Sequence, residues 1–286
     1  MSPSSSSPTA GDRDETTAWA EAFVVGFRSP GTRRAYRRDL HCLFDFCAEQ
    51  DLPACGEVRR TQVEAYLRQL EQHRPPLANG TLRRRISTWS SWFTWLEDEE
   101  LAVGNPAARV RRPRRHTQPQ PWLDRNELTD LLTAAEAEGG ASYALVCLLA
   151  LNGLRISEAC AADVTDLDGS RYQPTLRILG KGDKPAQVPL NPRTQQAIAE
   201  AVADHSDRPL LLNAWGSRMQ RHNAAAIIAR LCRRIGITRR ITPHALRRSY
   251  ITIGLLQGVP LREMQRAARH SNADTTAAYD QSDRSC

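Results

Sequence analysis

From Asn105 to Pro121 the chain reads N-P-A-A-R-V-R-R-P-R-R-H-T-Q-P-Q-P, with four prolines, five arginines and no apolar periodicity. Such a stretch offers no stripe to bury against a neighbour and has the composition of a semi-rigid linker. It therefore obliges the 286 residues to fold as two pieces, each with its own core. The expected division is a disordered leader over 1–15, a first domain over 16–104, a basic linker over 105–121 and a second domain over 122–286. The leader, M-S-P-S-S-S-S-P-T-A-G-D-R-D-E, has neither the apolar core of a signal peptide nor enough hydrophobicity to fold.

The first piece has helical period throughout. Trp19, Ala22, Phe23 and Phe27 mark one amphipathic helix, and Tyr36, Leu40, Leu43, Phe44 and Cys47 a second that opens at Gly31 and Thr32. Val63, Tyr66, Leu67 and Leu70 predict a third from Thr61, and Leu82, Ile86, Trp89, Phe93 and Leu96 a fourth from Asn79. A compact four-helix bundle follows. The series Trp89, Trp92, Trp95 has the spacing of core packing. The polar faces are arginine-rich: Arg33, Arg34, Arg37 and Arg38 stand on the second helix, and Arg83, Arg84 and Arg85 early in the fourth.

Beyond the linker, Asp124 is a candidate N-cap for a helix through Leu128, Leu131 and Leu132, and Leu/Ala-rich Ala144–Asn152 reads as a buried helix. T-L-R-I-L-G-K-G-D-K-P-A-Q-V-P-L predicts a hairpin with strands Thr175–Leu179 and Ala186–Leu190. From Asn191 the pattern is helical, with a basic helix near Arg218–Arg234. Thr242 and Pro243 then open a helix that Gly258 stops. The fold class is mainly α with a small β-sheet.

The formal charge of +7 and a pI near 9.3 point to a polyanion as partner, and arginine's planar fork matches phosphate better than a lysine does. Seven cysteines form no C-x-x-C pair and several lie in apolar runs, as in a reduced cytoplasmic protein without a zinc site or disulfide framework. The longest apolar run, Ala144–Leu151, falls short of the roughly 20 residues of a membrane span.

Candidate chemistry lies in four places. Arg155 and Glu158 sit in G-L-R-I-S-E after the buried helix, where an arginine must be paired or aimed at an anion. Lys181 stands at the hairpin tip between two glycines, free to reach an incoming ligand. His244 and Arg247, three apart in H-A-L-R-R-S-Y, share a helix face. His270 and Tyr279 close the chain in A-R-H-S-N-A-D-T-T-A-A-Y.

Taken together these motifs resemble the tyrosine recombinases of the phage-integrase family, closest in size and layout to the Xer-type enzymes. S-P-G-T-R-R-A-Y-R-R-D-L and N-P-A resemble that family's core-binding domain, and G-L-R-I-S-E its first arginine box. The lysine of G-K-G matches its hairpin lysine, H-A-L-R its H-x-x-R box, and His270 precedes Tyr279 by the family's spacing of nine. The resemblance implies an N-terminal four-helix, SAM-like core-binding domain and a C-terminal catalytic domain. It implies cleavage and rejoining of double-stranded DNA through a 3′-phosphotyrosyl intermediate, with no metal and no cofactor, by a homo-tetramer on two recombining sites. The task would be integration, excision or dimer resolution. Arg155 and Arg247 would neutralise the non-bridging phosphate oxygens, Tyr279 attack, Lys181 protonate the departing 5′ oxygen, His244 assist proton removal from Tyr279, and His270 hydrogen-bond the phosphate. Glu158 would orient Arg155. Arg33, Arg34, Arg37, Arg83, Arg84 and Arg85, with Arg111 and Arg112 of the linker, would contact the DNA backbone.

Two departures from the pattern stand out. Ala268 and Arg269 replace the family's leucine-glycine before the last histidine, which predicts either a different local turn or a phosphate contact by Arg269. Only D-Q-S-D-R-S-C follows Tyr279, where Xer-type enzymes carry a longer helical segment that packs on a neighbouring protomer. Two other functions share these residues: a type IB topoisomerase-like activity, which needs no partner site, and a catalytically silent DNA-binding accessory or regulatory protein.

Overall fold

The computed structural model describes residues 10–52, 58–114, 121–170, 173–180, 184–203, 206 and 208–270. The chain divides into two compact units, 1–118 and 119–286.

The first unit holds helices α1 (Ala10–Val25), α2 (Pro30–Glu49), α3 (Arg60–Glu71) and α4 (Asn79–Asp98). The Ser29 hydroxyl caps α2 by accepting from the Thr32 amide at 3.4 Å, and Pro30 fills the first turn, where its missing N–H costs nothing. Helix α1 starts at Ala10, so the end of the stretch expected to be an unstructured leader is helical. No proline interrupts Ala10–Glu15, and extending an existing helix needs no new nucleus. Leu40, Leu43, Leu82, Ile86, Trp89, Trp92 and Leu96 fill the core. Trp89 and Trp92 are fully buried, so their series is packing, as its spacing suggests. Tyr66 stacks on Phe46 at 4.2 Å and on Trp89 at 5.4 Å, and its hydroxyl donates to the Cys42 carbonyl at 2.6 Å.

Part of the basic stretch expected to be a linker joins this core. Ala107 and Val110 are buried in it, and the Asn105 amide donates to the Ser90 carbonyl at 2.7 Å and the Thr94 hydroxyl at 2.8 Å of α4. Two small apolar residues beside a hydrogen-bonding asparagine suffice to dock the segment without any helical period.

The second unit is built around α6 (Gly140–Ala150), whose residues from Tyr143 onward are buried on every face. Helix α5 (Arg125–Glu138) carries the expected cap: Asp124 accepts from the Glu127 amide at 2.9 Å while Glu127 accepts from the Asp124 amide at 3.0 Å. After α7 (Ile156–Ala161) comes a three-stranded antiparallel sheet in the order β1 (Leu167–Ser170), β2 (Gln173–Leu179), β3 (Pro185–Pro189). The predicted hairpin is β2–β3, with Leu176 opposite Val188 and Ile178 opposite Ala186. Strand β1 was not expected, because Leu-Asp-Gly-Ser has no alternation of its own and forms by pairing along β2.

Helices α8 (Pro192–Ala201), α9 (Arg221–Arg234), α10 (Pro243–Leu256) and α11 (Leu261–Ala268) complete the unit. Thr242 caps α10 through the Ala245 amide at 3.3 Å, with Pro243 in the first turn. A side chain at Gly254 would meet the Met264 sulfur at 2.5 Å, so this glycine lets α11 lie close against α10. No helix among the described residues is long and apolar enough to cross a membrane.

Candidate active site

Four of the expected catalytic residues, His244, Arg247, Arg155 and His270, come from three separate segments: the first turns of α10, the N-cap of α7 and the residue after the turn that ends α11. Lys181 and Tyr279 lie outside the described residues.

The anchor is Arg247. It is 2% exposed and donates through one nitrogen to the Gly153 carbonyl and through the other to the Ala268 carbonyl. Gly153 has φ +59°, and a side chain there would lie 2.4 Å from the Tyr250 ring, so only glycine allows this loop to pass beneath α10. Two residues on, Arg155 caps α7 and reaches across to the same helix end, donating to the Arg269 carbonyl at 3.1 Å.

Glu158 is buried and holds both of its neighbours, as expected for Arg155. One oxygen accepts from the Arg155 guanidinium at 2.6 Å, and the other accepts from the Arg155 amide at 2.8 Å and from Arg269 at 2.9 Å. Burial pushes this carboxyl up, but the Arg155 hydrogen bonds and the Arg269 and Arg155 charges outweigh it and hold the group below its ordinary value. Arg269 is a left-handed C-cap at φ 54°, ψ 46°, and its fork also reaches the Gly153 carbonyl at 3.3 Å. The carbonyls that a helix end leaves unpaired are thus taken up by guanidinium groups, where positive charge also complements the helix dipole.

Among the described residues, the guanidinium groups of Arg155, Arg247 and Arg269 surround one buried anion, Glu158, and the histidines respond to the excess of positive charge. Burial first, then Arg247, Arg155, His244 and Arg269, brings His270 down to about 4. His244 is also held low, first by burial and then by Arg247, Arg248 and Arg155. Both rings are neutral near pH 7. One can therefore take a proton and the other donate a hydrogen bond to an anion, while the arginines carry the charge. No group of three or more metal-ligating side chains occurs among the described residues.

The arginines expected to contact DNA divide into two groups. Arg34, Arg111 and Arg112 are exposed, as is Arg38. The others have partners within the first unit. Arg33 donates to the Phe27 carbonyl at 2.6 Å, Arg83 to the Pro113 carbonyl at 2.8 Å, and Arg37 grips Glu21 with both arms at 2.6 and 2.5 Å. Arg84 pairs with Asp39, and the Arg85 Nε lies 3.8 Å from the same carboxylate. Asp39 is fully buried and also accepts from the Thr88 hydroxyl at 3.1 Å. Its role was missed, although the signal was present: it sits three residues after Tyr36 and four before Leu43, on the inward face of α2.

A sequence model of the phage integrase family matches residues 121–285, and one of the phage integrase N-terminal SAM-like domain matches residues 22–100. Tyrosine recombinase XerC of Mycobacterium sp. (strain KMS) is 34% identical over 268 residues, covering 88% of each chain. Its namesake from Pelotomaculum thermopropionicum is 29% identical, covering 88% of this chain and 87% of that one. Among solved structures, a lambda integrase dimer bound to a COC′ core site superposes with a TM-score of 0.75 at 14% identity, over 93% of this chain and 94% of that one. XerH recombinase in a post-cleavage complex with difH substrate gives 0.71 at 16%, over 86% and 75%. At such identities these structures speak for the fold. The paired arginine boxes joined at the end of α11, the two family matches and the XerC relatives converge: this chain belongs to the phage integrase family of tyrosine recombinases.

Proposed function

We propose that this protein is a site-specific DNA recombinase that cleaves and rejoins DNA strands through Tyr279, residues 16–104 gripping the duplex and residues 122–286 carrying the chemistry. The observation that carries the proposal is the meeting of Arg155, Arg247, His244 and His270 around one helix end, with an excess of positive charge and two neutral imidazoles. Attack by the Tyr279 phenol forms a bond to phosphorus as the bond to the 5′ oxygen breaks. The phenol proton passes to His244, Lys181 protonates the departing oxygen, and His270 donates to the phosphate. Arg155 and Arg247 meet the growing charge on the non-bridging oxygens. The phosphotyrosyl ester conserves the energy of the broken bond, so a 5′-hydroxyl from a partner strand reverses the step without a nucleotide cofactor. Exposed Arg34, Arg111 and Arg112 are the foremost phosphate contacts outside the site, whereas Arg33, Arg37, Arg83, Arg84 and Arg85 also brace the first unit. The working form is a tetramer on two sites in the cytoplasm.

A nicked suicide duplex drawn from the DNA flanking the gene tests this. A covalent complex should form and be lost in Tyr279→Phe. Failure to form one on an authenticated site refutes the catalytic assignment and leaves a DNA-binding accessory role. Relaxation of a supercoiled plasmid lacking the site, without exchange between two labelled duplexes, would instead identify a topoisomerase.

A further inference from the structure

We infer that Arg269 is a positioning residue of the active site, tying the loop that carries Arg155 to the helix end that carries His270. Its catalytic consequence rests on the strand-cleavage activity proposed above, but its structural basis does not.

Arg269 stands in left-handed backbone, where an L side chain is disfavoured and glycine or asparagine is the usual choice. A side chain is retained there that makes long-range contacts. One arm donates to Glu158, 111 residues away in sequence, at 2.9 Å and to the Gly153 carbonyl, 116 residues away, at 3.3 Å. The other donates to the Ala267 carbonyl at 3.2 Å, so the same guanidinium also closes its own helix. Glu158 in turn holds Arg155, and Arg155 donates back to the Arg269 carbonyl. The result is a closed ring: Arg155 to Glu158 to Arg269, whose main chain returns to Arg155. The next residue is His270, whose amide bonds to the Gln265 carbonyl at 3.1 Å, so the turn set by Arg269 also sets the direction of His270.

A direct phosphate contact is a poorer role for this side chain. The arm that reaches Glu158 would have to leave a carboxylate that is itself 2% exposed. Abandoning a buried anion costs more than a surface contact returns. Among the described residues, the charged and titratable groups that act on His270 are Arg247 and His244 from α10, Arg155 from the start of α7, and Arg269 beside it. Removing Arg269 takes away one of the cations that oppose its protonation.

The test compares full-length wild type with Arg269→Gly and Arg269→Lys. Three quantities are read: DNA affinity against salt, the rate of covalent complex formation on a suicide duplex, and the His270 titration in the free protein by NMR. Glycine suits the left-handed position, so the first variant should fold and bind DNA within about twofold of wild type. It should nevertheless cleave about tenfold more slowly or worse, as expected when a catalytic group is displaced. Its His270 midpoint should rise from about 4. Lysine keeps a charge for Glu158 without the fork, and should fall between the two. Wild-type cleavage in Arg269→Gly with an unmoved His270 overturns the inference. So does a loss of affinity of about tenfold with a salt slope lower by about one, the mark of a phosphate contact. Should wild type itself give no covalent complex, the proposed activity fails while the titration still decides whether Arg269 governs His270. Should the glycine variant not fold, the lysine variant carries the same comparison.

Discussion

The guanidinium of Arg247 donates to the main-chain carbonyl of Gly153, 94 residues earlier in the chain, and that carbonyl also accepts from Arg269. A backbone oxygen, which no side-chain substitution can remove, is thus the common reference for two arginines. What can be disturbed is the shape of the loop that presents it. Gly153→Ala would place a methyl 2.4 Å from the Tyr250 ring at φ +59°. The expected cost is about 2–4 kcal/mol from strain and overpacking together. Thermal melts should show it as a lowered Tm, and covalent complex formation should be lost while the first unit still binds DNA.

Arg247→Lys keeps the charge but cannot donate to the Gly153 and Ala268 carbonyls in parallel while also facing a phosphate. Cleavage of a suicide duplex is expected to fall by about 100-fold or more, the size of effect seen when a charge-stabilising donor is lost. DNA affinity, measured by mobility shift, should change little by comparison, because backbone contacts elsewhere dominate it.

His270 titrates at about 4 in the folded protein against about 6.5 in an unfolded chain. Between those values the unfolded chain binds a proton that the folded protein does not. The folded state therefore loses stability as pH falls from about 6.5 toward 4, and the loss levels off below that. In His270→Asn this contribution is absent. Melting temperatures taken from pH 7 to pH 4.5 should fall less steeply in the variant than in wild type, and parallel curves would show that the ring is not held neutral.

Asp39 is fully buried with Arg84 as its ion-pair partner. Burial already pushes its carboxyl above the ordinary range, against the pull of Arg84, Thr88, Arg85 and Arg38. Arg84→Ala leaves that carboxylate only the Thr88 hydroxyl and the more distant Arg85, and should destabilise the first unit by about 2–3 kcal/mol near pH 7. A folded-state value raised above the unfolded one contributes stability at low pH that is lost as pH rises through it. The deficit of Arg84→Ala relative to wild type should accordingly shrink as pH falls from 7 to 5, read by chemical denaturation at each pH.

Much of this was legible in advance. The helices of the first unit, the Asp124 and Thr242 caps and the β2–β3 hairpin all follow from local rules of period, capping and turn chemistry. The pairing of Arg155 with Glu158 was equally readable, three residues apart at a helix start. The rest depended on contacts distant in sequence. Nothing local to Arg269 says that it will meet Glu158, and nothing local to Gly153 says that its oxygen will be shared. Arg84 and Arg85 looked like surface charge until Asp39, on another helix, turned them inward. Docking of Ala107 and Val110 escaped notice because two small residues carry no period. Lys181 and Tyr279 were named from the sequence and remain for the cleavage assay.

Burial of α6 on every face has a kinetic consequence. A helix with no solvent side cannot fray without opening the core around it, so its amides should exchange with solvent only through global unfolding. The turn over residues 151–155, which carries Gly153 and Arg155 into α7, follows directly from this helix. Helix α11 is different: Met264 and Ala268 are its buried residues, packed with Ile251 in a small separate cluster, and its last turn is fastened by guanidinium groups. Those fastenings are themselves buried with Arg247 and Glu158, so freeing the turn would leave charge without a partner away from water. Hydrogen exchange should resolve the two as units of different depth, α6 opening only with the whole unit and α11 with the smaller cluster it packs in.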